Sequence, residues 1–206
     1  MSVLGKLASA LGRNDERPNV ELAEALAAKP DVAAIAELAG ALLGGSTAVS
    51  NDAIKVLYEL GTRNPDALAP HTDALVALLA SKNNRNVWGA LQAIDTIAYT
   101  DPDLFVAKLP LILEAADKGS VIAKDKAMSI LAQLASVGEG ATTLPIFLDR
   151  LEQAAPNQFP MYAEMGVQVM QPDYWDRFAA ILRGRVDKFA PSKRARVEKV
   201  IRRLKA

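Results

Sequence analysis

The chain has 206 residues, half of them apolar and only 5% aromatic, with 24 basic and 24 acidic residues. This charge balance argues against a dedicated non-specific nucleic-acid binder. The absence of cysteine excludes disulfides, thiolate metal sites and cysteine catalysis, and the single histidine, His71, excludes a metal site built on a histidine pair. No apolar run reaches the roughly 18 residues of a membrane span, so we expect no span and a cytoplasmic location.

The N-terminal residues predict a short amphipathic helix over 2–12. Val3, Leu7 and Leu11 fall on one face of such a helix, and the polar segment 12–18 ends it. We expect this helix to cap the first repeat. The alternative is a helix that binds a partner or a membrane surface.

A repeat of about 37 residues is the strongest pattern in the sequence. Ala53, Ala90, Ala127 and Ala163 each open a similar apolar segment, and they are 37, 37 and 36 residues apart. A period of this size is typical of a solenoid, in which each unit buries its apolar face against its neighbours. We therefore expect one all-α repeat domain over 1–206.

The repeats are predicted to be helix pairs that occupy residues 19–190. Pro65 and Pro102 each lie 12 residues after a leading alanine, where each ends one helix, and the following Asp66 and Asp103 are expected to cap the next. A basic terminal helix is predicted over 192–205. The predicted pairs are 19–28 with 31–43, 50–61 with 66–80, 86–99 with 103–117, 124–136 with 141–154, and 159–170 with 173–189.

This pattern resembles HEAT-like or armadillo-like helical repeats. The resemblance is carried by Ala53, Ala90, Ala127, Leu60, Ile97, Leu134, Pro65 and Pro102. It implies a right-handed α-α superhelix of about five helix pairs, in which the second helices line a concave surface. In such families that surface binds protein and sometimes nucleic acid. The sequence leaves the choice between HEAT and armadillo open.

The C-terminal segment is the most unusual in composition. Residues 183–206 hold ten basic and two acidic residues, whereas the rest of the chain holds 14 basic and 22 acidic. One hypothesis is a site for an anion or a partner, formed by Arg183, Arg185, Lys193, Arg194, Arg196, Lys199, Arg202 and Arg203. The alternative is a solvated outer face of a terminal repeat, with cations that complement the helix dipole.

Two tryptophans are candidate anchors for a partner. Trp88 follows the polar loop 81–86, in which Arg85 offers a charge, and tryptophan and arginine often dominate binding energy. The alternative is an indole packed at an ordinary inter-repeat turn. Trp175 belongs to an aromatic set with Tyr162, Tyr174 and Phe178, and this set forms either a pocket or the core of the fifth repeat.

These features favour a non-catalytic protein-interaction scaffold that uses the concave surface, the basic C-terminal end or both, with no enzyme activity, cofactor or metal. A protein is the expected partner, nucleic acid is possible through the basic C-terminal helix, and self-association is possible. The alternative is a nucleic-acid-binding protein, including a HEAT-like DNA glycosylase acting on alkylated bases. Such enzymes use tryptophan and a catalytic aspartate, but the nearest acid after Trp88 is Asp95, seven residues on.

Overall fold

The computed structural model describes residues 2–204, and these residues form helices joined by turns, with no strand. The all-α prediction is confirmed. The helices are α1 Arg17–Ala28, α2 Val32–Gly44, α3 Thr47–Arg63, α4 Pro65–Leu68, α5 Thr72–Leu78, α6 Asn84–Ile97, α7 Pro102–Lys118, α8 Val121–Leu134, α9 Gly140–Gln153, α10 Phe159–Val169, α11 Trp175–Val186 and α12 Pro191–Arg203.

Most predicted helices agree with these bounds to within three residues. The end of the predicted terminal helix, at Lys205, lies outside the described residues. A π-helical turn, Ala135–Glu139, joins α8 to α9, and within it Gly138 has a φ of 113°, a conformation that favours glycine and separates the two helices.

The helix caps differ from the prediction. Asn64 accepts a hydrogen bond from the backbone N–H of Ala67, and Asp101 accepts one from that of Leu104. The predicted caps, Asp66 and Asp103, instead lie in the first turns of α4 and α7. The reason is that each proline occupies the first helical position, where its missing N–H costs nothing, so the residue before it becomes the cap.

The predicted helix over 2–12 is wrong beyond its first turn. Only Val3–Lys6 is helical, as a 3-10 turn, and the chain then continues through irregular turns to Gly12. Leu7 is nevertheless fully buried. A segment this short has little helical stability of its own, and side chains on α1, α2 and α3 offer acceptors to its backbone instead.

The predicted second helix over 66–80 is also wrong as a continuous element. It is broken into α4, a 3-10 turn at Ala69–His71, and α5. Pro70 lies at the break, where it lacks the N–H that a continuous helix would require.

The chain divides into two compact units, Met1–Ala127 and Met128–Ala206, and the division falls inside α8. In the first unit, α3 packs between α1 and α6, and α5 packs between α2 and α7. We call α1, α3 and α6 the first-helix layer. In the second unit, α9 contacts α10 and α11, and α12 packs on both α10 and α11.

The repeating apolar rows form the cores of these units. The alanines that open each repeat segment have no exposed surface, and neither do the apolar residues seven positions later in three of the segments. These are Ala53, Ala90, Ala127, Ala163, Leu60, Ile97 and Leu134. The sequence periodicity therefore reports the buried face of each first helix.

A buried polar network attaches the N-terminal segment to α1 and α3. The Asp52 carboxylate accepts hydrogen bonds from Asn19 Nδ2 at 2.8 Å and from the backbone N–H of Ser9 at 2.7 Å. The Asn19 side-chain oxygen accepts one from the backbone N–H of Ala8 at 2.9 Å. Asn19 is fully buried and Asp52 nearly so.

We expect Asp52→Ala to destabilise the protein by about 2 kcal/mol, because it leaves the buried Asn19 amide and the partly buried Ser9 N–H without an acceptor. The measurement is urea unfolding followed by circular dichroism. Asp73→Ala, which truncates an exposed carboxylate, is the matched control and should shift stability far less. Equal losses from the two variants would contradict the role assigned to this network.

Candidate functional site

A pair of aromatic side chains lies on the first-helix layer of the first unit. Trp88 on α6 is partly exposed, and its ring centroid lies 6.0 Å from that of Tyr58 on α3, with the planes at 45°. Lys55 Nζ lies 4.8 Å from the Tyr58 ring centroid. We call Lys55, Tyr58 and Trp88 the aromatic face.

Ion pairs surround this aromatic face and connect the helices of the layer. Lys55 Nζ lies 2.8 Å from the Glu59 carboxylate and 3.4 Å from that of Glu16, at the start of α1. Arg85 of α6 also pairs with Glu16. Arg63 extends the set, contacting Glu59 at 2.5 Å on α3 and Glu24 of α1 at 3.2 Å.

Hydrogen bonds between Glu59 and Lys55 favour the charged forms of both side chains. Burial raises the pKa of Glu59, but hydrogen bonds from Lys55 and Arg63 outweigh burial and hold it below its ordinary value. Burial lowers the pKa of Lys55, but hydrogen bonds to Glu59 and Tyr58 raise it above its ordinary value. Partly exposed ion pairs contribute at most about 1 kcal/mol each, so a ligand's charges can replace them at low cost.

In the second unit, Arg185 has a structural role. Its guanidinium donates hydrogen bonds to the backbone carbonyls of Leu151 at 3.2 Å, Glu152 at 2.8 Å and Ala154 at 2.8 Å. It also lies 4.3 Å from the ring centroid of Phe159. Burial lowers its pKa. Arg185 therefore closes the C-terminal end of α9, and it is not available to a ligand.

The other basic candidates divide into two groups. Three have partners within the unit, since Lys193 bonds Asn157, Arg194 pairs with Asp187 and Glu198, and Arg196 donates two hydrogen bonds to Glu164. The second group is exposed, and within residues 2–204 the side chains of its members form no hydrogen bond or ion pair; these are Arg183, Lys199, Arg202 and Arg203.

The aromatic set around Trp175 lies partly in the core of the second unit. Phe178 is fully buried and Tyr162 is nearly so. Trp175 begins α11 and is partly exposed, and the neighbouring Tyr174 hydroxyl lies 3.4 Å from the carbonyl oxygen of Ala141. Trp175 thus has an exposed edge, and Arg177, two residues further along α11, pairs with Asp149 and Glu152.

Two further titratable residues, Asp95 and His71, lie outside these sets. Asp95 pairs with Lys126 at 2.9 Å. His71 is partly buried, and burial lowers its pKa. In the part of the chain that the structure describes, no group of three or more histidine, aspartate or glutamate side chains is placed to hold a metal ion. Within the same residues, no helix combines the length and apolar character needed to cross a membrane.

Sequence reasoning selected Trp88 and Arg85 but missed the groups around them. Tyr58, Lys55 and Glu59 lie at positions i+3, i and i+4 of α3, a spacing that places them on one helical face. That spacing was available in the sequence. The contact with Trp88, 30 residues away, required the packing of α3 against α6.

No protein-family model and no curated protein matches the sequence. Among solved structures, a designed armadillo repeat protein in complex with the peptide (KR)4 matches with a TM-score of 0.73 and 14% identity, over 92% of this chain and 91% of that chain. A second designed armadillo repeat protein matches with a TM-score of 0.64 and 14% identity, over 98% and 99% of the two chains.

An engineered protein is similar at a TM-score of 0.66 and 17% identity, over 100% of this chain and 99% of that one. These identities are low, so the comparisons describe the fold. The chain is therefore an all-α solenoid of the armadillo/HEAT-like repeat type.

Proposed function

We propose that the protein is a non-catalytic interaction scaffold that binds an extended peptide segment of a partner protein on the first-helix layer of its first unit. The observation that carries this proposal is the contact between Trp88 and Tyr58, surrounded by ion pairs that run across α1, α3 and α6. Aromatic side chains supply apolar contact area, and exchangeable ion pairs supply charges of both signs.

This site lies on the first helices, whereas the sequence resemblance implied the second helices. The reason for the choice is the position of the anchors, because Trp88 and Arg85 lie on α6 and their partners lie on α1 and α3. The similarity to a designed armadillo repeat protein in complex with a peptide also supports a peptide as the ligand.

Nucleic-acid binding is the second candidate, supported by four exposed cations whose side chains form no hydrogen bond or ion pair within residues 2–204, namely Arg183, Lys199, Arg202 and Arg203. Four phosphate contacts would give an affinity that falls steeply with salt. The glycosylase alternative gains no support from the surroundings of Trp88, because Asp95 is held in an ion pair with Lys126.

We expect Trp88→Ala to abolish most peptide binding. The measurement is selection of peptides from a displayed random library on the wild-type protein, followed by affinity measurement on purified variants. Loss of the indole removes the anchor and exposes Tyr58, so the selected peptides should bind at least about tenfold more weakly.

Trp175→Ala is the matched control, because it removes the second tryptophan, which lies in the second unit. The peptides should bind this variant with unchanged affinity. Selected peptides that bind the Trp88 variant as well as the wild type, or a library that yields no binder, would contradict the proposal.

A further inference from the structure

One face of α10 combines two methionines with polar groups. Met161, Glu164, Met165 and Gln168 lie at positions i, i+3, i+4 and i+7, which is the spacing of a single helical face. All four are partly or fully exposed, in contrast to the buried Tyr162, Ala163 and Gly166 between them. Methionine side chains are flexible and polarisable, so they adapt to varied apolar partners.

A row of cations on α12 lies beside this face. Arg196 donates two hydrogen bonds to Glu164, at 2.9 and 2.6 Å, which orients its side of α12 toward α10. Lys199 and Arg203 follow at i+3 and i+7 and therefore lie on the same side. Hydrogen bonds from Arg196 lower the pKa of Glu164, and the charge of Lys199 contributes to this shift. We call these α10 and α12 residues the methionine–cation face.

The charges on this face do not balance. The row carries three cations, and Glu164 neutralises one of them through its contact with Arg196. Lys199 and Arg203 lie one helical turn apart, both exposed, and two like charges at this spacing repel each other. A ligand that brings carboxylates to these two side chains removes this repulsion.

We propose that the methionine–cation face binds an acidic, amphipathic peptide segment of a partner protein. Its carboxylates pair with Lys199 and Arg203, and its apolar side chains pack on Met161 and Met165. The ligand differs from that of the aromatic face in the first unit, so this inference goes beyond the proposed function and is tested separately from it.

The composition of the face favours a peptide over nucleic acid. The cationic row spans seven residues of helix, about 10 Å, which is enough for only about three phosphate contacts. None of the residues on the face is aromatic, so bases have no surface on which to stack. The methionines, by contrast, offer an apolar surface on which the apolar side chains of a peptide can pack.

The test is fluorescence anisotropy of a labelled peptide of alternating glutamate and leucine, at physiological salt, with the full chain. A peptide of alternating glutamate and glycine and a labelled DNA duplex are the comparison probes. We expect the glutamate–leucine peptide to bind more tightly than either. Met165→Ser should weaken its binding and bring it close to that of the glutamate–glycine peptide.

The decisive comparison is between two double variants that change the net charge equally but at different positions. Lys199→Glu with Arg203→Glu should weaken binding by about tenfold or more, because each reversal turns an attraction into a repulsion. Arg183→Glu with Lys188→Glu makes the same change in net charge at two exposed residues that precede α12, and should weaken binding much less.

Circular dichroism verifies that each variant folds. Equal losses from the two double variants would overturn the proposal, since binding would then reflect net charge alone. Tighter binding of the DNA duplex than of the glutamate–leucine peptide would also overturn it, and so would the absence of peptide binding to the wild type. Concentration-dependent self-association that disappears with the Lys199 and Arg203 reversals would assign the face to a second copy instead.

Discussion

Arg185→Ala is expected to destabilise the second unit by about 3 kcal/mol. The guanidinium of Arg185 donates to three backbone carbonyls at the end of α9 and stacks on Phe159. Hydrogen bonds to a charged group contribute about 1.5–3 kcal/mol, and truncation also removes the cation–π contact. The measurement is urea unfolding followed by circular dichroism, with the midpoint and slope fitted separately.

Arg183→Ala is the matched control, because it removes an exposed arginine from the same helix two residues away. Its stability should lie within about 0.5 kcal/mol of the wild type. If both variants unfold at the same urea concentration, Arg185 is not a structural residue. The distinction between basic residues that stabilise the fold and basic residues that can bind a ligand would then be wrong.

Gly61→Ala is expected to destabilise the first unit by about 3 kcal/mol. A Cβ at this position would lie 2.1 Å from Thr96 Oγ1 and 2.6 Å from Leu68 Cδ2. Thr96 lies on α6, so the missing side chain of Gly61 is what allows α3 and α6 to approach each other. Overpacking of such a contact costs about 1–3 kcal/mol and sometimes more.

Gly40→Ala provides the control for helix propensity. Gly40 lies inside α2, is exposed, and would place a Cβ in open space. The substitution should therefore stabilise the protein by about 0.5–1 kcal/mol. In thermal and urea unfolding, Gly40→Ala should raise the midpoint of the transition and Gly61→Ala should lower it. A stabilised Gly61→Ala variant would mean that α3 and α6 pack less closely than described.

The repeat architecture was predictable because periodicity reports burial. Ala53, Ala90 and Ala127 recur because each lies on the buried face of a first helix, where little space is available. The broken second helix was also predictable in principle, since Pro70 lies in the middle of the predicted segment.

The N-terminal segment was not predictable in the same way. Its apolar spacing fits a helix, but its backbone donors are taken by Glu37, Asn19 and Asp52. These acceptors are between 11 and 43 residues away in sequence. Local patterns contain no information about such contacts, so the sequence could predict burial of Leu7 but not the backbone conformation around it.

The same limit applies to the candidate sites. Composition identified the basic segment, but it could not separate Arg185, which bonds carbonyls 31 to 34 residues earlier, from Arg183, which is exposed. Likewise, Trp88 was evident as an unusual residue at a helix start. Its contact with Tyr58 and the ion pairs of Glu16 became visible only when the helices were packed.

Hydrogen–deuterium exchange of the full chain, with and without a library-selected peptide, tests the central claim most directly. The claim is that the first-helix layer of the first unit binds a partner peptide. It predicts increased protection in α3 and α6, around Tyr58 and Trp88, and little change in α2 and α7. Protection confined to α2 and α7, or absent from the first unit, would contradict the account.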